Sequence, residues 1–157
     1  MPRFARRQQG MVLLVSLVFL LLLTMLGISS MQNATLQEKM AGSVNLRNKS
    51  FQNAEAALRM GESRIKEADF KMTKCVGTVG CAPPAEAPTV NSERTDGTSG
   101  VAWKAGGGGY YGIQNLGTTA TPIIKPNCTG TVTMYRVTAV ATEGTSTTVL
   151  ESIYANC

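Results

Sequence analysis

The side chains with the clearest reactivity in this sequence are four cysteines, Cys75, Cys81, Cys128 and Cys157. The chain has no histidine, which removes the usual general base and the commonest metal ligand. It also lacks the Cys-x-x-Cys pair that is typical of zinc sites. An even number of cysteines in a short exported domain indicates disulfides. We therefore predict disulfides, and neither catalytic residues, nor a metal site, nor a cofactor.

The elements that position two of these cysteines are strands near the C-terminus. Residues 131–142 (TVTMYRVTAVAT) alternate in polarity and are rich in Val, Thr and Tyr, and residues 147–155 (TTVLESIYA) repeat the pattern. The intervening EGTS is typical of a turn. This pattern predicts an antiparallel hairpin.

The hairpin and the spacing of the cysteines favour one of the three possible pairings. Cys128 precedes the first strand and Cys157 ends the second, so the hairpin brings them within disulfide reach. Cys75 and Cys81 enclose only VGTVG, a loop that can turn back on itself. We favour Cys75–Cys81 and Cys128–Cys157.

The region before the hairpin is rich in Gly, Pro, Ser and Thr. Residues 75–100 are predicted to form an irregular loop. Residues 101–104 (VAWK) and 110–113 (YYGI) are predicted short strands around AGGGG. No Gly-Lys-Ser/Thr follows the glycines, so they are not a phosphate-binding loop, and we interpret them as a flexible turn.

The N-terminal part is dominated by an apolar segment. No charged side chain lies between Arg7 and Glu38, and residues 11–28 are almost wholly apolar. As a helix, this core spans about 27 Å, close to the thickness of the hydrocarbon layer. The basic residues beside it, Arg3, Arg6 and Arg7, lie on its N-terminal side, which predicts a cytoplasmic N-terminus.

A helical pattern continues after this segment. Apolar residues recur at helical spacing at Leu36, Met40, Val44, Phe51, Ala54, Leu58, Ile65 and Met72. The pattern predicts one long helix to about Lys71, with an apolar stripe on its second half that packs on a sheet. The predicted fold class is α+β.

Part of the net charge of +5 comes from the three arginines among the first ten residues. The remainder is near neutral, and aromatic residues are scarce. This composition does not favour a base-stacking surface, so we predict no direct contact with nucleic acid.

The junction between the basic leader RFARRQQG and the apolar MVLLVS shows a family resemblance. This junction resembles the class III signal of type IV pilins and pseudopilins, in which a prepilin peptidase cuts after the glycine and methylates the new N-terminus. The resemblance implies cleavage between Gly10 and Met11 and a methylated Met11. Residues 8–62 further resemble the N-terminal domain of the PilX group of minor pilins, most clearly in LQEKMAG and FQNAEAALRMGE.

The resemblance implies a pilin-like fold, a long N-terminal helix packed on a small antiparallel sheet. It divides the chain into a leader (1–10), a transmembrane and fibre-core helix (11–30), a periplasmic continuation of that helix (31–74) and a loop-rich sheet domain with disulfides (75–157). The protein is then expected in the inner membrane as a single-pass precursor, and afterwards in a fibre at the cell surface.

The implied function is that of a minor pilin needed for pilus assembly, and so for twitching motility and adhesion. Implied partners are the prepilin peptidase, other minor pilins, the major pilin, the inner-membrane assembly platform and a tip adhesin. Most pilins carry a glutamate at the fifth mature position, where this chain has Val15. A subunit without that carboxylate is expected at or near the pilus tip.

Two alternatives stay open at this point. A minor pseudopilin of a type II secretion system would share the leader and the helix. A periplasmic binding or sensor domain with an uncleaved membrane anchor would share the apolar segment alone. The N-terminal residue of the mature protein separates this last class from the pilins.

Overall fold

The computed structural model describes residues 9–122 and 130–157. The elements run α1 (Gln9–Ile65), α2 (Gly77–Gly80), a 3₁₀ turn (Ala87–Thr89), β1 (Trp103–Gly106), β2 (Gly109–Thr119), β3 (Val132–Glu143) and β4 (Ser146–Asn156). The chain divides into two compact units, Met1–Ser43 and Val44–Cys157.

The first unit, where it is described, is a continuous stretch of α1. Its large apolar side chains from Met11 to Met40 are all exposed. The helix passes through Gly27 and Gly42 without interruption, and a Cβ at either position would meet no neighbour within 4 Å.

The second unit packs the remaining turns of α1 on a four-stranded sheet. The strand order is β1-β2-β3-β4, and every neighbouring pair is antiparallel. The predicted C-terminal hairpin is confirmed by β3 and β4, which pair from Glu143 and Ser146 at the turn to Thr133 and Asn156 at the far end. The predicted α+β class is confirmed.

The central strands of the sheet, β2 and β3, are buried on both faces. On the α1 face the core contains Ile65, Ile113, Tyr135 and Val137. On the other face it contains Ala87, Val90, Val101, Trp103 and Val140, so the segment before β1 covers that face. Strand residues alternate between the two faces, which explains why β3 is buried along most of its length.

Helix α1 ends at Ile65, whereas the periodicity predicted a helix to about Lys71. The backbone leaves the helix through tight turns in which Lys66 N–H donates to Ser63 O and Phe70 N–H to Glu67 O. Phe70 then packs edge-on against Tyr135, with ring centroids 5.5 Å apart. Apolar residues after Ile65 therefore reach the core from a loop, which helical spacing alone cannot distinguish from another turn of helix.

The predicted apolar stripe is only partly buried. Ala54 and Ile65 are fully buried, but Leu36, Met40, Val44 and Phe51 are exposed. Periodicity identifies one side of a helix; it does not identify what covers that side. The prediction that the stripe faces the sheet was therefore wrong for its first half.

The glycine run forms a turn between two strands, as predicted from the sequence. Gly107 and Gly108 link β1 to β2 with φ of 63° and 85°, which suits a two-residue hairpin. A Cβ on Gly107 would collide with the backbone of Ala56 and Ala57. The glycines thus let the turn lie directly against α1.

Candidate functional site

The candidate site in the first unit is the apolar surface of α1. By length and composition, α1 is the one described helix that could cross a membrane, and its most apolar part is unburied. Gly10 lies in its first turn and Met11 follows it, 71% exposed. A surface of this kind needs either lipid or other apolar helices around it.

Val15 lies on one face of this segment with Met11, Ser16 and Phe19, which line a shallow apolar depression. It is one helical turn from Met11 and one from Phe19. Its position therefore presents an aliphatic surface where the family resemblance expects a carboxylate.

The hydroxyl groups in the apolar segment are satisfied within the helix. Ser16 Oγ donates to Leu13 O at 2.9 Å, and Thr24 Oγ1 donates to Leu21 O at 2.8 Å. Such bonds remove the cost of an unpaired polar group in an apolar environment. The segment can thus be surrounded by hydrocarbon on all sides.

In the second unit, polar side chains fasten α1 to the turn between β3 and β4. Lys49 Nζ lies 2.9 Å from Glu143 Oε2, and Asn53 Nδ2 donates to Glu143 Oε1 at 2.6 Å. The buried Ser50 hydroxyl lies 2.7 Å from Thr148 Oγ1. Nearer the end of α1, Ser152 Oγ donates to Glu62 Oε1 at 2.7 Å.

Gly61 brings α1 close to the centre of the sheet. A Cβ there would lie 2.5 Å from Val137 Cγ1 and 3.1 Å from Tyr111 Cδ2. The sequence showed only the cost of a glycine in a helix. The close approach explains why a larger side chain is unsuitable at this position.

Cys75 and Cys81 are joined by a disulfide, the pairing favoured for them from the sequence. The sheet holds the loop that they close: Arg136 Nη1 donates to Cys81 O at 2.6 Å, and Gln114 Nε2 to Gly80 O at 2.7 Å. Arg136 is also ion-paired with Glu151 at 2.9 Å. The loop is therefore fixed at both its disulfide and its carbonyl groups.

Glu86 anchors the segment that covers the outer face of the sheet. Burial raises the pKa of its carboxyl, but hydrogen bonds, first that from Ser99 Oγ, outweigh burial and hold the pKa below the ordinary value. The indole N–H of Trp103 also lowers the pKa of Glu86. Within the described residues, this N–H makes no hydrogen bond of standard geometry. The folded structure therefore favours the ionised carboxylate of Glu86.

Some of the residues singled out in the sequence lie outside the described ranges 9–122 and 130–157. The leader arginines Arg3, Arg6 and Arg7 lie outside the described residues, and so does Cys128. Cys157 directly follows β4, at the end of the hairpin where β3 begins. The Cys128–Cys157 pairing, cleavage after Gly10 and methylation of Met11 stay predictions.

The described part of the chain offers no group of three or more His, Cys, Asp or Glu side chains that could hold a metal ion. Sequence reasoning missed the contacts of Glu86 with Ser99 and of Glu143 with Lys49 and Asn53, because the partners are distant in the chain. The one sequence signal near the Asn53–Glu143 contact was the predicted turn at residues 143–146, which begins with Glu143.

Comparison with known proteins finds a similarity in the N-terminal third of the chain. Residues 9–59 match the family model described as PilX N-terminal. No match was found among curated proteins or among solved structures. The family match supports a pilin related to type IV pili, and with it a structural protein that contacts other pilus components.

Proposed function

We propose that this protein is a minor pilin of a type IV pilus, located at or near the tip and required for assembly of the fibre. The observation that carries the proposal is the match of residues 9–59 to the PilX N-terminal family, on a helix whose apolar segment is wholly exposed. Such a pilus would serve twitching motility and adhesion.

The helix suits both environments that a pilin occupies. Its apolar segment has exposed side chains on every side and internally bonded hydroxyls. Transfer from lipid to a bundle of apolar helices exchanges one apolar environment for another, so it can be driven by an assembly motor.

Val15 motivates the placement at the tip. In the pilin family, a glutamate at this position is thought to pair with the N-terminal amine of a neighbouring subunit. Val15 lies on an apolar face and offers no charge for such a pair. A subunit that lacks the contact is suited to a position where one neighbour is absent.

Before assembly, we place the protein in the inner membrane with its N-terminus in the cytoplasm, as the positive-inside rule predicts from the arginines of the leader. There it meets the prepilin peptidase and the assembly platform. Other minor pilins, the major pilin and a tip adhesin are its partners in the fibre.

Shearing tests this proposal. Fibres sheared from the cell surface should contain the protein in small amount relative to the major pilin, and labelled antibody should mark fibre ends. Deletion of the gene should reduce the number of fibres. Retention of the protein in the inner membrane together with a normal number of fibres would contradict the proposal.

A further inference from the structure

A groove runs between α1 and the start of β4 in the second unit. It measures about 430 Å³ and is lined by side chains of both elements, including Phe51 and Leu150. Phe51 is 48% exposed at its rim, although it belongs to the helix that packs on the sheet. Phe51 thus offers an exposed aromatic surface on which an apolar side chain of a partner can pack.

The outer edge of β4 borders this groove. Within the described residues, β4 pairs only with β3, so one row of its backbone N–H and C=O groups has no strand partner. The strand is eleven residues long and contains neither proline nor lysine, which proteins commonly use to block such edges. Its single charged residue, Glu151, is already paired with Arg136.

Arg47 supplies a charge at the groove. It lines the groove and is exposed, and it takes part in none of the ion pairs among the described residues. Its neighbour Lys49, by contrast, is paired with Glu143. The groove therefore combines an open strand edge, one cation and a mixed lining, in which Phe51, Val149 and Leu150 are the apolar side chains.

We propose that this groove binds an extended segment of a neighbouring pilus subunit by β-strand addition. The segment pairs its backbone with β4 near Ser146–Leu150 and directs alternate side chains towards α1. One of these is apolar and packs on Phe51, and another is a carboxylate that pairs with Arg47. The inference rests on the proposed function, because it takes its partner from the fibre.

Site-specific photo-crosslinking tests it in the full-length protein. Phe51 is replaced by benzoylphenylalanine in cells that assemble fibres, and crosslinked peptides are identified by mass spectrometry after irradiation. The expected adduct joins position 51 to an acid-containing segment of another pilus subunit. The matched control places the same group at Met60, which is on the same helix and 45% exposed but does not line the groove. Position 60 should not crosslink to that segment.

A charge reversal tests the ionic contact. Arg47→Glu should lower the yield of the adduct at position 51 by about fivefold, as expected for an ion pair of an interface rim, while Arg47→Lys should keep most of it. Arg59→Glu is the control, since Arg59 is an exposed arginine of α1 that is paired with Glu55. It should leave the yield unchanged.

The outcomes separate the two proposals. If the protein is recovered in sheared fibres but position 51 crosslinks only to lipid, to a helix or to nothing, strand addition is overturned and the pilin assignment stands. An adduct that Arg47→Glu does not weaken also overturns the proposed contact. If the protein never enters fibres, the proposed function fails, and the inferred partner fails with it.

Discussion

Gly107, in the turn between β1 and β2, lies so close to Ala57 of α1 that a Cβ at Gly107 would collide with the Ala57 backbone nitrogen. The same glycine has a φ of 63°, a value that other residues rarely adopt. The turn is thus fixed both by its backbone conformation and by its contact with the helix.

Gly107→Ala should therefore destabilise the second unit for two reasons. The backbone conformation costs about 1–2 kcal/mol, and the collision adds about 1–3 kcal/mol. Gly77→Ala is the control, because Gly77 has a similar φ of 72° and a Cβ there would meet nothing within 4 Å. Denaturant unfolding of the full-length protein in detergent, followed by the fluorescence of Trp103, measures both variants. Equal losses would show that the contact with α1 adds nothing.

The Glu86 cluster predicts a dependence of stability on pH. The pKa of Glu86 lies below its ordinary value of 4.5, so the folded state favours the ionised carboxylate. Its stabilising contribution is fully present above that ordinary value, and it is lost as the pH falls through the lower pKa of the folded state. Glu86→Gln should flatten the loss of stability in this acidic range. Unfolding curves for both proteins from about pH 6 to pH 3 check this, and identical pH profiles would contradict it.

The cysteines predict unequal effects of two substitutions. A Cys128–Cys157 bridge would close a loop of about thirty residues and contribute roughly 3–4 kcal/mol in the chain-entropy model. The Cys75–Cys81 bridge spans six residues and would contribute about 2 kcal/mol in the same model. Cys157→Ser should therefore lower the level of the protein more than Cys81→Ser does, as measured by immunoblot. Equal levels would remove the energetic argument, and a Cys75–Cys157 peptide in a non-reducing digest would refute the pairing.

Val15 predicts a change of position in the fibre. Val15→Glu restores the carboxylate that could pair with the N-terminal amine of a neighbour, so the variant should be incorporated along the fibre as well as at its end. Immunogold labelling of sheared fibres measures the distribution, with Val15→Leu as the control for a change of size. The same distribution in all three forms would leave the tip assignment without support.

The sequence predicted the elements whose pattern is local. The alternation of residues 131–142 and 147–155 predicted β3 and β4 within a few residues of their observed bounds. The end of α1 was misplaced, because Met72 continues the helical spacing seven residues after Ile65 while belonging to a loop that packs on the core. The contact of Gly107 with α1 depends on tertiary packing, as does the hydrogen bond from Ser99 to Glu86, and no local pattern contains either of them.

The candidate site, like the fold, has features that are evident in the sequence and features that depend on tertiary packing. The apolar segment and Val15 are evident in the sequence, since a membrane-length helix is defined by composition. The groove beside β4 is not, because it depends on Phe51 remaining exposed when the same helical stripe buries Ala54.

Mass spectrometry of the N-terminal peptide from sheared surface fibres tests the pilin assignment most directly. The mature protein should begin at an N-methylated Met11, without Arg3, Arg6 and Arg7. A bulky or charged residue at Gly10 should block this processing, because the extended backbone could no longer fit the peptidase. Mature protein that still begins at Met1 or Pro2 would contradict the assignment.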